Sequence, residues 1–189
     1  MTNSPRTANS PGTTNSPQTP PARLTIRPTT GSDQPVLERL WLLFRHDMSE
    51  VSGALPDATG QFRRERLDAA FTDPGWRGVI AHLEPAGAAP SPVGFALVRG
   101  LDGPTRVLSS FFVVRGVRRI GVGRELAAHV LAAFPGGWDV AFQDANPPAV
   151  NFWRAVATDA VGAAWTEEHR AVPGRPDLPP DTWISFTTS

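Results

Sequence analysis

The alternation of apolar and polar positions along the chain predicts a sheet of short strands interleaved with amphipathic helices. Short apolar or β-branched runs bounded by Gly and Pro indicate strands, and apolar residues recurring every three or four positions indicate helices. The predicted strands are 24–28, 77–83, 93–98, 106–114, 138–142, 165–169 and 183–187. Four helices are predicted. The first begins after the cluster 30–33 and ends near 46–48, the second and third span roughly 61–71 and 121–134, and the fourth begins at 146.

The order of these elements predicts an α/β (α+β) fold with a mixed, mostly antiparallel sheet and helices on its flanks. Short turn-rich loops join strands 77–83, 93–98 and 106–114, which favours an antiparallel meander. The strand–helix–strand unit that follows requires a parallel pair with a crossover connection. The closing strands are separated by a Pro-rich loop over 173–180.

The first 22 residues differ in character from the rest of the chain. They repeat Asn-Ser-Pro three times and contain almost nothing that a core could bury. Segments of this composition do not fold on their own. We therefore predict a disordered tail over 1–22 followed by one folded domain over 23–189.

The composition excludes several classes of protein. A formal net charge of zero and a pI near 6.9 argue against nucleic-acid and membrane-surface partners. The absence of cysteine excludes a disulfide scaffold, a thiolate metal site and a cysteine nucleophile. All 18 basic residues are arginine, a skew typical of GC-rich bacterial genomes. No apolar run suits a membrane span or a signal peptide, so a cytoplasmic protein is expected.

The most informative stretch joins the strand ending at Val114 to the helix over 121–134. It holds Gly121, Gly123 and four arginines within ten residues. A strand that turns through glycine into a helix directs free N–H groups and the positive end of the helix dipole at one point, which suits a pyrophosphate. A bare junction of this kind is equally compatible with a helix that merely docks on the sheet.

Other chemistries have weaker support. The third glycine of a dinucleotide fingerprint is missing, and a P-loop requires a lysine, which the chain lacks. The four histidines are scattered without paired spacing, so no metal site is predicted. The sequence also lacks the Gly-x-Ser-x-Gly elbow of serine hydrolases.

Two motifs in register resemble those of the GNAT N-acetyltransferase superfamily. Arg118-x-x-Gly121-x-Gly123, between a Phe-Phe-Val-Val strand and an amphipathic helix, is similar to the acetyl-CoA motif of that family. After the next strand, the segment from Asn146 to Trp153 is similar to its Asn-x-x-Ala-x-x-apolar-aromatic helix start. The resemblance covers about residues 24–187 and implies a sheet whose two parallel strands splay apart.

The resemblance implies an activity and a set of binding residues. The acetyl group of acetyl-CoA would pass to a primary amine of a small molecule, a peptide acceptor being left open, by direct attack in a ternary complex without a metal. Loop amides would hold the pyrophosphate, while a strand edge and an asparagine would hold the pantetheine arm. The cofactor-binding residues so implied are Phe112, Val113, Val114, Arg118, Arg119, Ile120, Gly121, Val122, Gly123, Arg124 and Asn146.

The acceptor chemistry departs from the family pattern. Many relatives carry a Glu as base just before the Phe-Phe-Val segment, where this chain has serines, and a Tyr as acid where it has Trp153. The candidates for a catalytic role are His46, Asp47, Glu50 and Ser110. A solvated helix end is the alternative for the first three.

Two further functions stay open at this point. A non-catalytic acyl-CoA sensor would explain the missing Glu and Tyr, and the arginine cluster would also suit another phosphorylated ligand. The identity of the acceptor amine and the oligomeric state, a homodimer included, are likewise open.

Overall fold

A computed structural model describes residues 22–172 and 179–189. The predicted tail therefore lies outside the described residues, apart from Ala22. Most of the Pro-rich loop over 173–180 lies outside them as well.

The described residues form seven strands and four α-helices in the predicted order. The strands are β1 (Arg23–Pro28), β2 (Trp76–Glu84), β3 (Ser91–Arg99), β4 (Thr105–Val113), β5 (Gly136–Phe142), β6 (Trp165–Arg170) and β7 (Asp181–Thr188). The helices are α1 (Gln34–Ser52), α2 (Glu65–Thr72), α3 (Val122–Ala133) and α4 (Pro147–Val161). Short 3-10 turns over Gly31–Asp33 and Arg115–Val117 precede α1 and the loop before α3.

The strands form one mixed sheet in the order β1-β2-β3-β4-β5-β7-β6. All neighbours are antiparallel except β4 and β5, which are parallel and joined through α3. The predicted fold class, the antiparallel meander and the parallel pair are confirmed.

Two helix boundaries differ from the predictions for local reasons. Helix α1 continues past 48 to Ser52 and ends at Gly53, whose φ of +65° is readily adopted by glycine. Helix α2 begins at Glu65 rather than near 61. Before it, the Asp57 carboxylate accepts a hydrogen bond from the Gln61 backbone N–H at 3.1 Å. This turn competes with helix formation.

The sheet carries a separate apolar core on each face. On one face, α1 and α2 pack residues such as Leu37 and Leu67 against Phe95 and Phe112. On the other, α3 and α4 pack against a second set of strand residues that includes Val113 and Ile184. The alternation of side chains along a strand lets Phe112 and Val113 serve opposite cores.

Candidate functional site

The candidate site begins where the two parallel strands separate. β4 pairs with β5 only over Thr105–Leu108, and the two strands then diverge. The register between β3 and β4 shifts at the same level, because Leu97 lies opposite Ser110 and Val98 lies opposite Leu108. Ser109 is therefore the extra residue of a β-bulge, which bends β4 away from β5. The result is a cleft with an unpaired β4 edge on one side.

The backbone groups that face this cleft alternate along β4. The Val114 N–H donates to the Val93 carbonyl of β3 at 2.8 Å, so Val114 is turned away from the cleft. By the alternation of an antiparallel ladder, Phe112 also bonds to β3, while Phe111 and Val113 face the cleft. Within the edge predicted at 112–114, Phe112 and Val114 therefore face β3, whereas Phe111, outside that prediction, faces the cleft because a bulge sets the phase of the strand.

The loop after β4 leads into a helix start with free amides. Gly121, with φ of +98°, is the N-cap of α3, and no side chain of the described residues caps it. The first helical bond runs from the Glu125 N–H to the Gly121 carbonyl at 3.1 Å. The N–H groups of Val122, Gly123 and Arg124 therefore have no partner within the helix. Arg119 also has a positive φ, of 69°, which shapes the turn.

Arg118 connects this loop to two other elements. Its Nε donates to the Val113 carbonyl at 2.7 Å, and its Nη2 pairs with the Asp47 carboxylate of α1. Arg115 also pairs with Asp47, through Nη2 at 2.9 Å. Glu50 lies 3.7 Å from the same Arg115 nitrogen. The helix end and the arginine loop, both predicted as site regions, are brought together.

These contacts make Asp47 a weak base. Burial favours its neutral form, but the hydrogen bonds and charges of Arg118 and Arg115 outweigh burial and lower the pKa of Asp47. Asp47 is also held at the Val113 end of β4. Ser110 lies three residues earlier along the strand, at roughly 10 Å for an extended chain. The catalytic candidates on α1, of which His46 is exposed on the surface, therefore lie apart from Ser110.

Ser110 instead lies beside an arginine that the sequence did not single out. Its Oγ donates to the Ser109 carbonyl at 2.8 Å, and Nη1 of Arg66 donates to the same carbonyl at 2.8 Å. Arg66 is part of α2, on the face of the sheet that Ser110 and Phe112 share. A contact between residues 43 positions apart leaves no local pattern in the sequence.

Asp181, at the start of β7, is a further residue that the sequence did not single out. Thr182 and Ile184 are buried, Ile184 in the core under α3 and α4, so alternation puts Asp181 on the α1 and α2 face. Thr182 lies opposite Phe142, so Asp181 is next to Gln143, just past the end of β5. Burial raises the pKa of Asp181, against the smaller opposing effects of the Arg66 charge and the nearby Gln143 side chain.

The far wall of the cleft is the start of α4. Asn146 is its N-cap, and Oδ1 accepts a hydrogen bond from the Ala149 N–H at 3.3 Å. Trp153 is buried and packs edge-to-face on Phe111, with ring centroids 4.9 Å apart. Trp153 is thus a packing residue beside the β4 edge.

In the ranges 22–172 and 179–189, no group of three or more His, Asp or Glu side chains is arranged to hold a metal ion. Within the same ranges, no helix has the length and apolarity needed to cross a membrane.

The described residues thus combine a sheet opened at its parallel pair with a helix start whose amides are free within the helix. The family model described as acetyltransferase (GNAT) family matches residues 38–157, which is more than half of the chain. The protein therefore belongs to the GNAT acetyltransferase family, whose members use acetyl-CoA. A search of curated proteins found no match.

Solved structures share this fold at low sequence identity. A GNAT-family acetyltransferase from Staphylococcus aureus is 16% identical, with a TM-score of 0.61 over 88% of this chain and 100% of that one. The ribosomal-protein-S18-alanine N-acetyltransferase of Escherichia coli is 14% identical, with a TM-score of 0.58 over 88% and 95%. Spermidine N-acetyltransferase of Vibrio cholerae, in complex with CoA and spermine, is 15% identical, with a TM-score of 0.58 over 87% and 95%. At these identities the likeness concerns the fold.

Proposed function

We propose that the domain over 23–189 transfers the acetyl group of acetyl-CoA to a primary amine by direct attack in a ternary complex. The observation that carries this proposal is the unpaired β4 edge, which leads directly to the uncapped start of α3. The similar structures named above include an alanine N-acetyltransferase and a spermidine N-acetyltransferase, and both names specify transfer to nitrogen.

The residues of the cleft suit two parts of acetyl-CoA, the pyrophosphate and the pantetheine arm. The amides of Val122, Gly123 and Arg124 would bind pyrophosphate oxygens, since a helix start favours anions. The backbone groups of Phe111 and the Val113 N–H would pair with the pantetheine amides as an added strand does, while the Val113 carbonyl already accepts from Arg118. Arg118, Arg119 and the remaining loop residues would supply charge and shape, and Asn146 would close the far side.

This arrangement also assigns the side from which the amine approaches. Helix α3 packs on one face of the sheet, so the pyrophosphate is held from that face. Ser110 and Phe112 turn to the opposite face, beside α1 and α2. We infer that the acceptor enters from the α1 and α2 face and meets the thioester near Ser109 and Ser110. The thioester supplies an electrophilic carbonyl and a thiolate leaving group that is tolerable without protonation.

The amine must lose a proton before it attacks. A carboxylate with a raised pKa accepts protons near neutral pH better than one with a lowered pKa. Asp181 has the raised pKa and lies on the acceptor face, whereas Asp47 has a lowered pKa and is paired with two arginines. We therefore propose Asp181 as the proton acceptor, in place of the α1 residues.

A catalytically silent acyl-CoA sensor is the alternative, because Ser109, Ser110 and Trp153 replace the acid–base residues of many relatives. Two measurements separate the functions: calorimetric titration with acetyl-CoA, and thiol release over a panel of amines. Binding with turnover of any amine supports the transferase. Binding without turnover supports the sensor, and no binding at millimolar acetyl-CoA contradicts both.

Replacing Arg118 with Ala is expected to raise the Kd for CoA about tenfold, because the variant loses a charged donor and the brace on the Val113 carbonyl. Isothermal titration with CoA measures this. The matched control is Arg77→Ala, at an exposed position on β2, which should leave the Kd unchanged. Equal Kd values for Arg118→Ala and the wild type would contradict the placement of the pyrophosphate beside this loop.

A further inference from the structure

Arg66 is held in position on the acceptor face by a set of contacts around α2. Arg64, two residues before Arg66, pairs through Nη2 with Glu38 of α1 at 2.7 Å and with Asp68, one helical turn later, at 2.9 Å. The indole Nε1 of Trp41 donates to the Arg63 carbonyl at 3.0 Å. Leu67 is buried in the core beneath α1. These contacts fix the position of helix α2 and therefore the position of the Arg66 backbone.

The Arg66 guanidinium has capacity left for a ligand. Within the described residues, the Arg66 guanidinium makes one hydrogen bond, from Nη1 to the uncharged Ser109 carbonyl. A guanidinium has five N–H donors in a planar fork that matches a carboxylate. The neighbouring charge of Asp181 acts on Arg66, yet none of the ion pairs within 4.0 Å in the described ranges joins these two residues. Within the described residues, the remaining Arg66 donors are therefore open to a carboxylate of a ligand.

The charges around Arg66 are mostly positive. Burial lowers the pKa of Arg66 most strongly, and the charges of Arg99 and Arg45 lower it further. Asp181 is the opposing charge, while Arg63 is itself paired with Glu65 at 3.0 Å. This local excess of positive charge favours an anion beside Arg66.

We propose that the acceptor is an amine that carries a carboxylate close to its amino group, and that Arg66 binds this carboxylate. The proposal rests on the proposed function and names the substrate class of the same site. The carboxylate would lie on the Arg66 fork beside the Ser109 carbonyl, and the ammonium group would be directed towards Asp181. An amino acid or a peptide with a short amino-to-carboxylate separation has this chemistry.

These groups account for both protons that the ammonium group loses during the transfer. The ammonium gives one proton to the Asp181 carboxylate, and the neutral nitrogen forms the N–C bond as the C–S bond of the thioester breaks. The second nitrogen proton goes to the leaving thiolate, which yields the amide and free CoA thiol. Asp181 then releases its proton to water.

The test compares amino acids with their decarboxylated amines, for example phenylalanine with 2-phenylethylamine, together with spermidine as a polycation. Thiol release gives kcat and KM for the wild type, Arg66→Gln, Arg66→Lys and the control Arg23→Gln, at the far edge of the sheet on β1. We expect the wild type to prefer carboxylate-bearing members at least tenfold in kcat/KM. Arg66→Gln should raise KM for these members about 10- to 100-fold and leave the decarboxylated amines unchanged. Arg66→Lys should retain part of the preference, and Arg23→Gln all of it.

Three results would overturn the inference. Equal kcat/KM for both members of the pairs, or a preference for spermidine, contradicts the substrate class while the proposed function stands. A loss in Arg66→Gln that falls equally on all amines, with unchanged KM, makes Arg66 a support for the β4 bulge rather than a binding residue. Absence of turnover with every amine overturns the proposed transferase as well, and calorimetry with acetyl-CoA then decides whether the donor site survives. Thermal melting of each variant confirms that it is folded.

Discussion

The Asp181→Asn variant is expected to lose about 100-fold or more in kcat/KM for amine acetylation at neutral pH. General base catalysis contributes about 10²- to 10⁴-fold, and an amide cannot accept the ammonium proton. Burial raises the pKa of Asp181, so protonation at falling pH should remove activity at a higher pH than an ordinary aspartate allows. The pH profile of kcat/KM should therefore show an acidic limb in the wild type that is absent from Asp181→Asn.

The controls for this variant separate proton transfer from structural damage. Acetyl-CoA should bind Asp181→Asn with unchanged affinity, and acceptors whose amines are already neutral at the assay pH should lose much less activity. Asp47→Asn removes a carboxylate of lowered pKa and should keep the acidic limb. An Asp181→Asn enzyme with the wild-type profile, or one impaired equally with all amines, would contradict the proposed role.

The Leu37→Ala variant is expected to lower the free energy of unfolding by about 2–5 kcal/mol. Leu37 is 0% exposed, in the core between α1 and the sheet. Truncating a leucine in such a position loses burial of its methyl groups and leaves a cavity. A loss of this size is a large part of the stability of an ordinary domain. Urea or thermal unfolding measures it.

Leu43 on the same helix provides the matched control. It is the same residue type and is 49% exposed. Leu43→Ala should change the free energy of unfolding by no more than about 0.5 kcal/mol. Equal losses in the two variants would contradict the packing of α1 on the sheet. Because Asp47 is carried by α1, weakened packing should also loosen its pairing with Arg115 and Arg118.

The succession of strands and helices was predictable because it depends on residues a few positions apart. Apolar periodicity distinguished the α3 segment from the strands on either side of it. The start of α2 was predicted too early because a turn around Asp57 takes up the Gln61 backbone. Such side chain–backbone bonds change the end of a helix without changing its apolar pattern.

The glycine turn at the start of α3 was also predictable from the sequence. A glycine at position 121 that permits a positive φ, followed by an amphipathic helix, is a local feature. The phase of the β4 edge was not predictable, since it depends on a bulge at Ser109 that appears only when β4 is paired with β3. The backbone groups of Phe111 therefore face the cleft, whereas the Val114 N–H donates to the Val93 carbonyl of β3.

The order of the elements, the family motifs and the glycine loop before α3 follow from residues close together in the chain. The contrast between the carboxylates of Asp47 and Asp181 depends on the folded structure. Asp47 and Asp181 are the same residue type, but folding places Asp47 against two guanidinium groups and leaves Asp181 partly buried, with no ion pair to Arg66 among the described residues. A pKa depends on the charges and the burial that folding imposes on a group, and these come from segments far apart in the chain.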